Sequence, residues 1–579
     1  MKVFRLGHRT PIELGPRQFL AEGGEGKVYV RGQTAYKVYH DPARALPLDK
    51  LQALAALADP RILAPKEVLL DEQGRAVGYT TRFLADAWPL GRLFARAFKQ
   101  REGVTPDHLK HLILRLRTGV ETVHAAGLLL VDINELNFLI PKDFSEVFFI
   151  DADAWQTPRH PATALLDAVR DWTVPTGAWT PATDWFSMGV VTFQLFTGLH
   201  PFKGRYSGPE VGFRERLATD APDDAFAVTR RRMQAGISVF HPEVQVPPAA
   251  EPFTDVPPAW LAWYRGLFAE GRRGPPPADF RAVVATVVVR PVPTAPGGLI
   301  LDHLDTVTGR LLRLFADALH RVVVTDDGVW LDGQRLPFSP EVSMHCAFSP
   351  RERRPVGVDT RGAIPVLTDL MARTPLPFGL AAEAVASQGG QVWLKAGDQV
   401  HALVLTEAGG RLHAGTRAVA QVMPHAAQLF PGVVIQRLLG AAYVSLLEVD
   451  RTRQIRVPAL DGATVLDARF DQGVLMVVVH RGNTCDRLVF RFGADDTFDL
   501  TTAVDVAAAV PGFVVRGGLC ISLEEDGRLA LFPAQPGAAA RRHVEDPSLA
   551  AQPLLGVDGL GLLMGVGDQV VRARMRPPT

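Results

Sequence analysis

Cysteine is scarce in this chain. Three among 579 residues, Cys346, Cys485 and Cys520, are too few and too far apart for a disulfide framework or a zinc site, so reduced, buried thiols are expected. Neither sign of charge is in excess: 62 Lys and Arg stand against 62 Asp and Glu, which removes any global pull toward nucleic acid or an anionic membrane surface. Long apolar runs are missing as well. No uninterrupted stretch reaches the roughly 18 residues that a transmembrane helix needs, and the opening MKVFRLGHRTPIELG scatters charges where an export signal would be apolar. A soluble cytoplasmic protein with no nucleic-acid or membrane partner is the expectation. The chain is too long for one core, and it divides into two halves of unlike texture, the first helix-rich and the second β-rich.

The first half is organised around residues 123–156, VHAAGLLLVDINELNFLIPKDFSEVFFIDADAWQ. An apolar-periodic helix over 108–124 precedes two strand-like runs, 137–140 and 147–150, so that Asp132, Asn137 and Asp151 fall on loops bracketing a hairpin. Phosphoryl transfer needs one carboxylate to orient the attacking hydroxyl, and a second carboxylate with an amide oxygen to fix Mg²⁺ on the phosphates. Asp132, Asp151 and Asn137 are of those types in that order.

Upstream, FLAEGGEGKVYVRGQTAYKVY over 19–39 reads as β-rich runs joined across Arg31 and Gly32. Leu20, Gly23, Gly26 and Val28 have the spacing of a glycine-rich turn, where missing side chains let backbone N–H groups approach phosphate oxygens. Glycines also serve ordinary hairpin turns. The apolar-x-Lys pattern Ala35-Tyr36-Lys37 on the next strand strengthens the phosphate reading, because it sets an ammonium beneath the loop. A short amphipathic helix over 48–58 ends at Asp59-Pro60, and strands over 66–83 turn at residues 71–74. Residues 183–202, apolar almost all round, predict a buried central helix. Proline-rich text at 246–258 is a loop within the helical part, which resumes over 259–270; the stretch RPVPTAPGG, 290–298, is a semi-rigid linker by composition.

Beyond the linker, short alternating runs recur with glycine turns. Runs starting at Gly473, Gly518 and Gly561 are spaced by 45 and 43 residues, each followed by a partner over 486–492, 527–532 and 568–573. Less regular hairpins turn at Asp327-Gly328 and Gly397-Asp398. A period of about 40 to 50 residues with several strands per repeat predicts a β-propeller of six or seven blades over 299–579, closed by a strand near Leu299; a sandwich pair is the alternative. Its histidines, among them His303, His320, His345 and His413, lack metal-ligand spacing and are expected to be surface or satisfied core residues.

Together LAEGGEGKVY, AYKVYH, HAAGLLLVDINELNFLI, IDADAWQ and TDWFSMGVVTFQLFTGLHPF resemble, in order and spacing, a eukaryotic-type (Hanks-type) Ser/Thr protein kinase domain, and a bacterial subgroup with a GGEG loop in particular. The resemblance implies an α+β bilobal domain over 1–289 ahead of the linker and the propeller. It implies ATP and Mg²⁺ as cofactors. Gly23, Gly24 and Gly26 would cover the phosphates; Val28, Ala35 and Leu139 would sandwich the adenine; Leu20 would also bind the nucleotide; Lys37 would hold the α- and β-phosphates. Asp132 would accept the substrate hydroxyl's proton, with Asn137 and Asp151 as metal ligands. Asp153 is the alternative to Asp151, and Asp184 would anchor the loop backbone. A protein substrate is implied, as are a metal-dependent Ser/Thr phosphatase and a von Willebrand A-like protein as candidate partners.

Departures from the pattern are equally specific. Ala21 replaces the first loop glycine, and the helix over 48–58 holds no glutamate to pair with Lys37, Asp49 being its only acid. Val131 stands where the family has an arginine, which removes the guanidinium that would meet a phosphorylated Thr157, Thr163, Thr173, Thr176 or Thr180. Asn134 replaces a lysine near the transferring phosphoryl group. An ATP- and Mg²⁺-dependent Ser/Thr protein kinase with a regulatory or partner-binding propeller is the first reading. A pseudokinase scaffold is the second, and transfer to a small-molecule hydroxyl the third.

Overall fold

The computed structural model describes residues 1–208, 226–280, 298–338, 344–506, 512–537, 541–551, 553–558 and 560–576. The expected linker over 290–298 lies, apart from Gly298, outside the described residues.

Seven antiparallel strands form the amino-terminal sheet: β1 (Lys2–Arg5), β2 (Ile12–Glu13), β3 (Phe19–Glu22), β4 (Gly26–Arg31), β5 (Thr34–Tyr39), β6 (Glu67–Leu70) and β7 (Ala76–Arg82), in the order β2-β1-β6-β7-β5-β4-β3. The turn between β4 and β5 falls at Gly32, whose φ of +60° explains the glycine. One face of the sheet buries Val3, Phe19, Tyr29, Tyr36, Val38 and Leu69 together. The other faces helix α1 (Leu48–Ala55) and the helical part, through Tyr39, Val68 and Tyr79. Strands β1 and β2 were not foreseen; at four and two residues they are too short to show a period.

A second, three-stranded sheet joins β8 (Ala87–Pro89), β9 (Phe138–Pro141) and β10 (Phe148–Phe149), with β9 central. Helices α2 (Arg96–Arg101), α3 (Pro106–Ala125), α4 (Pro181–Thr197), α5 (Ala227–Ala235) and α6 (Pro258–Phe268) share one apolar core with it. Helix α3 starts where Thr105 Oγ1 accepts from His108 N at 3.1 Å, with Pro106 at the first position, and it buries Leu109, Leu112, Ile113, Leu116, Val120 and Val123 along one stripe. Helix α4 is buried nearly all round, as its apolar text predicts, and stops at Gly198 in a left-handed conformation, φ +67°. Its Phe186 and Phe193 meet Phe268 and Tyr264 of α6 edge to face, with ring centroids 5.7 and 5.3 Å apart.

From Leu299 onward the described chain forms seven four-stranded antiparallel sheets. Six use consecutive strands, over residues 311–335, 344–376, 384–421, 427–456, 464–503 and 513–544. The seventh takes Leu554–Val557, Leu562–Val566 and Gln569–Met575, and is completed by Leu299–Thr306, which pairs with the last strand from Leu299↔Met575 to Thr306↔Gln569. That closing pair matches the expectation for Leu299. So do the strands that begin after Gly473, Gly518 and Gly561, each the second strand of its sheet. Neighbouring sheets share apolar clusters, and Leu554 and Val570 of the seventh pack with Leu311 and Leu314 of the first, so the packing returns to its start. All three cysteines are free, and burial pushes the Cys485 thiol up to about 12. Among the described residues no helix is long and apolar enough to cross a membrane.

The two parts share one core. Leu466, Val474, Met476, Val478, Phe513 and Val515 of the fifth and sixth sheets are buried in the same cluster as Leu90, Phe94 and Ile133.

Candidate active site

Strand pairing decides which side chains meet. Lys37 is opposite Val28 on β4 and opposite Tyr79 on β7, and Ala35 and Tyr39 lie two residues either side of it. Because side chains alternate across a strand, Val28, Ala35, Lys37, Tyr39 and Tyr79 all project from one face. That face turns toward the loop after β10. Lys37 Nζ reaches Asp153 Oδ2 at 2.9 Å and Oδ1 at 3.1 Å, Asp151 Oδ1 at 3.2 Å and Glu25 Oε2 at 3.4 Å. Burial opposes the ammonium charge, but Asp151, Asp153 and Glu25 outweigh it and raise the Lys37 pKa.

The two aspartates of the D-A-D run have different surroundings. Asp153 is buried, its side chain 3% exposed, and takes hydrogen bonds from Lys37 to both oxygens, from Tyr39 OH to Oδ2 at 2.8 Å and from Tyr79 OH to Oδ1 at 2.8 Å. Three donor groups, through four hydrogen bonds, fill its acceptor sites. Burial works against its ionisation; the Lys37 charge and the hydroxyl donors prevail and hold it below the usual carboxylate range. Asp151, by contrast, is 46% exposed and is held in a left-handed conformation, φ +55°. Its neighbour Ile150 donates its N–H to Asn137 O at 3.0 Å, which ties the loop to the hairpin.

Asp132 lies on the loop between α3 and β9. Its Oδ1 accepts from Leu166 N at 2.8 Å, and Asn137 Nδ2 donates to its backbone O at 2.9 Å and its Oδ2 at 3.2 Å. With its NH₂ group so used, Asn137 keeps its amide oxygen as the atom able to accept a cation. Burial raises the Asp132 pKa, with those hydrogen bonds opposing it. The loop before Asp132 is strained: Val131, β-branched, has φ +64°. Asp184, fully buried in α4, holds it there by accepting from Leu130 N at 3.0 Å and Val131 N at 2.9 Å, while His124 Nε2 lies 2.8 Å from its Oδ2. The anchoring expected of Asp184 is thus present. Asn134 is buried and its Oδ1 accepts from Leu136 N at 2.9 Å, so it shapes the loop and brings no charge.

At Gly23 and Gly24 an added Cβ would meet nothing within 4 Å, whereas at Gly26 it would lie 2.3 Å from the Val38 carbonyl oxygen. The first two therefore leave open space over the sheet, and Gly26 is required by the close approach of β5. Leu20 is the extra residue of a bulge between Phe19 and Ala21, so its facing does not follow from simple alternation. Leu139, half-buried, pairs with Pro89 and Phe148 at the hairpin. Sequence reasoning brought Lys37, Asp132, Asn137 and Asp151 forward; it missed Tyr39, Tyr79 and Lys50, whose Nζ donates to the Asp153 backbone O at 2.7 Å.

The carboxyl-terminal part closes one side of the same loop. Glu135 Oε1 meets His480 Nε2 at 2.8 Å, both side chains buried, and Ala168 N donates to Asn483 Oδ1 at 3.2 Å from the two-residue turn at Gly482 and Asn483. Arg101 to Asp467 at 2.9 Å, Arg92 to Gln428 at 2.9 Å and Lys203 to Asp505 at 2.6 Å extend the contact. In the carboxyl-terminal part His345 is buried and bonded to Ser387 at 2.9 Å, and His320 lies 2.8 Å from Asp332.

The chain is 26% identical over 276 residues to protein kinase YegI of Escherichia coli O157:H7, a match covering 44% of this chain and 41% of that protein. It is 26% identical over 272 residues to protein kinase YegI of Escherichia coli strain K12, covering 43% and 40%. It therefore spans about two fifths of the length of the curated relatives it matches. No protein-family model matches the chain. A distant likeness to proteins named as kinases supports a kinase-like relationship for this chain.

Proposed function

We propose that the chain is a protein kinase that uses ATP and Mg²⁺ to phosphorylate a Ser or Thr hydroxyl of a protein, and that its seven carboxyl-terminal sheets are the blades of a propeller docked on the catalytic loop. The observation that carries this reading is that the Lys37–Asp151 pair and the Asn137–Asp132 pair are tied together where Ile150 donates its N–H to Asn137 O, while Gly23 and Gly24 leave open space in the turn before β4. The donor set fits the absent groups: Mg²⁺ takes hard oxygen ligands and is commonly held by one or two carboxylates plus substrate phosphates. Asp151, exposed, and the amide oxygen of Asn137 would be those ligands. Bound Mg²⁺ would neutralise phosphate charge.

The chain's own residues do the rest. Lys37 presents its ammonium to the phosphates from a fixed height, set by β5. Asp132 accepts the proton of the incoming hydroxyl at a carboxylate oxygen, and Asn137 fixes the rotation of that carboxylate. Val28 and Ala35 share the face of Lys37 and would form the roof over the adenine. Asn134 favours the scaffold alternative, since it supplies no positive charge near the transferring group.

Incubating the full chain with radiolabelled ATP, Mg²⁺ and protein acceptors tests both. Transfer is expected for the parent, with Asp132→Asn slowed by roughly a hundredfold or more. Equal labelling by parent and variant would sink the enzymatic reading, and no turnover in the parent would leave the scaffold.

A further inference from the structure

The helix facing Lys37 carries no carboxylate to it. From α1 the residue that reaches the site is Lys50, a cation, whose Nζ donates to the Asp153 backbone O, while the neighbouring Asp49 turns to His160 at 3.1 Å. Lys37 nevertheless has a buried counter-ion, and that counter-ion comes from the metal loop. Resting on the kinase reading above, we propose that Asp153 is the positioning residue for Lys37: it sets the ammonium's place, and α1 acts only by clamping the backbone that carries Asp153.

Three observations support this over a role for Asp153 as a metal ligand. Both of its oxygens are already engaged by Lys37, Tyr39 and Tyr79, and its side chain is nearly sealed from solvent. Tyr39 and Tyr79 come from different strands, so the carboxylate is fixed from two sides, and the Lys37 ammonium sits 5.7 and 5.8 Å from their ring centroids. Asp151, two residues earlier, keeps the exposure that a metal and a phosphate need. Were Asp151 to bind a metal, Lys37 would retain a full counter-charge from Asp153. A consequence is that lysine and metal ligand move as one body, joined through the turn Ala152–Ala154. Swinging α1 outward would not remove a carboxylate from Lys37.

The test is a double-variant cycle on the full chain, read as affinity for a fluorescent ATP analogue with Mg²⁺ and as transfer rate. Lys37→Met and Asp153→Asn are each expected to weaken binding by roughly tenfold and to slow transfer by roughly a hundredfold. The combined variant is expected to be no worse than either alone, since both remove one interaction. A merely structural Asp153 would give losses that multiply in the combined variant, and that result overturns the proposal. Should Asp153→Asn not fold, Tyr39→Phe with Tyr79→Phe replaces it in the same cycle, with the same outcomes. If the parent transfers phosphate and Asp153→Asn matches it, this proposal alone fails. A parent that neither binds the analogue nor transfers phosphate overturns this proposal and the kinase reading together.

Discussion

Asp132 is buried while its carboxylate accepts from Leu166 N and Asn137 Nδ2, and that setting gives it a signature in pH. As the base it must be ionised, and burial raises its pKa, so activity is lost on acidification starting at a higher pH than a free aspartate, near 3.9, would give. The acid limb of kcat/KM for the protein acceptor, measured at saturating Mg²⁺-ATP, is expected above that value. A limb at or below it would remove Asp132 as the base. At this scale the four polar residues were legible because chemistry restricts their types and order. The tyrosines were not: Tyr79 lies far from Lys37 in sequence, and only the pairing Lys37↔Tyr79 sets it on the same face. The one local signal was Tyr39, two residues from Lys37 on a strand. Val131 shows the converse, since its left-handed backbone is imposed by Asp184 from a distant helix and has no trace in local propensity.

Helix α3 and the hairpin β9–β10 pack most tightly at Gly119. A Cβ on Gly119 would lie 2.2 Å from Phe149 Cζ, and Phe149 is the last residue but one before Asp151. Gly119→Val is therefore expected to cost about 1–3 kcal/mol in denaturant unfolding, as overpacking does, and to raise the Mg²⁺ concentration needed for half-maximal transfer. Unchanged stability would show that the helix can shift without cost. The long helices were legible from their periods; for α3 the period gave 108–124, and the cap at Thr105 and Pro106, which start it earlier, was not read. Short pieces such as β8 were not, since three residues carry no pattern. The second and fourth carboxyl-terminal sheets escaped sequence reading for a different reason. The second sheet's turn puts Arg353 (φ +55°) where an Asn or Gly would have marked it, and in the fourth the two-residue turn pairs Leu439 (φ +49°) with Gly440 (φ +83°), leaving a single glycine as its signal.

Across the whole molecule, contacts such as Arg101 to Asp467 join residues 366 positions apart, and no local pattern announces them. Because Glu135 and His480 are both buried, removing one partner leaves a polar group stranded. His480→Ala is expected to destabilise the full chain by about 3 kcal/mol, and the cycle with Glu135→Gln to show a coupling of about 1 kcal/mol or more. Denaturant unfolding followed by tryptophan fluorescence checks this, and it should remain one transition, since the two parts share a core. Two separated transitions would mean that the shared cluster contributes little. The strand Leu299–Thr306 is the partner of Gln569–Met575, so a stretch from the start of the β-rich half is stitched to its finish. Such a seam makes fraying self-limiting: peeling back either strand must break the same row of bonds, and a shortened chain ending before residue 569 would lose its clasp as well as its last strand.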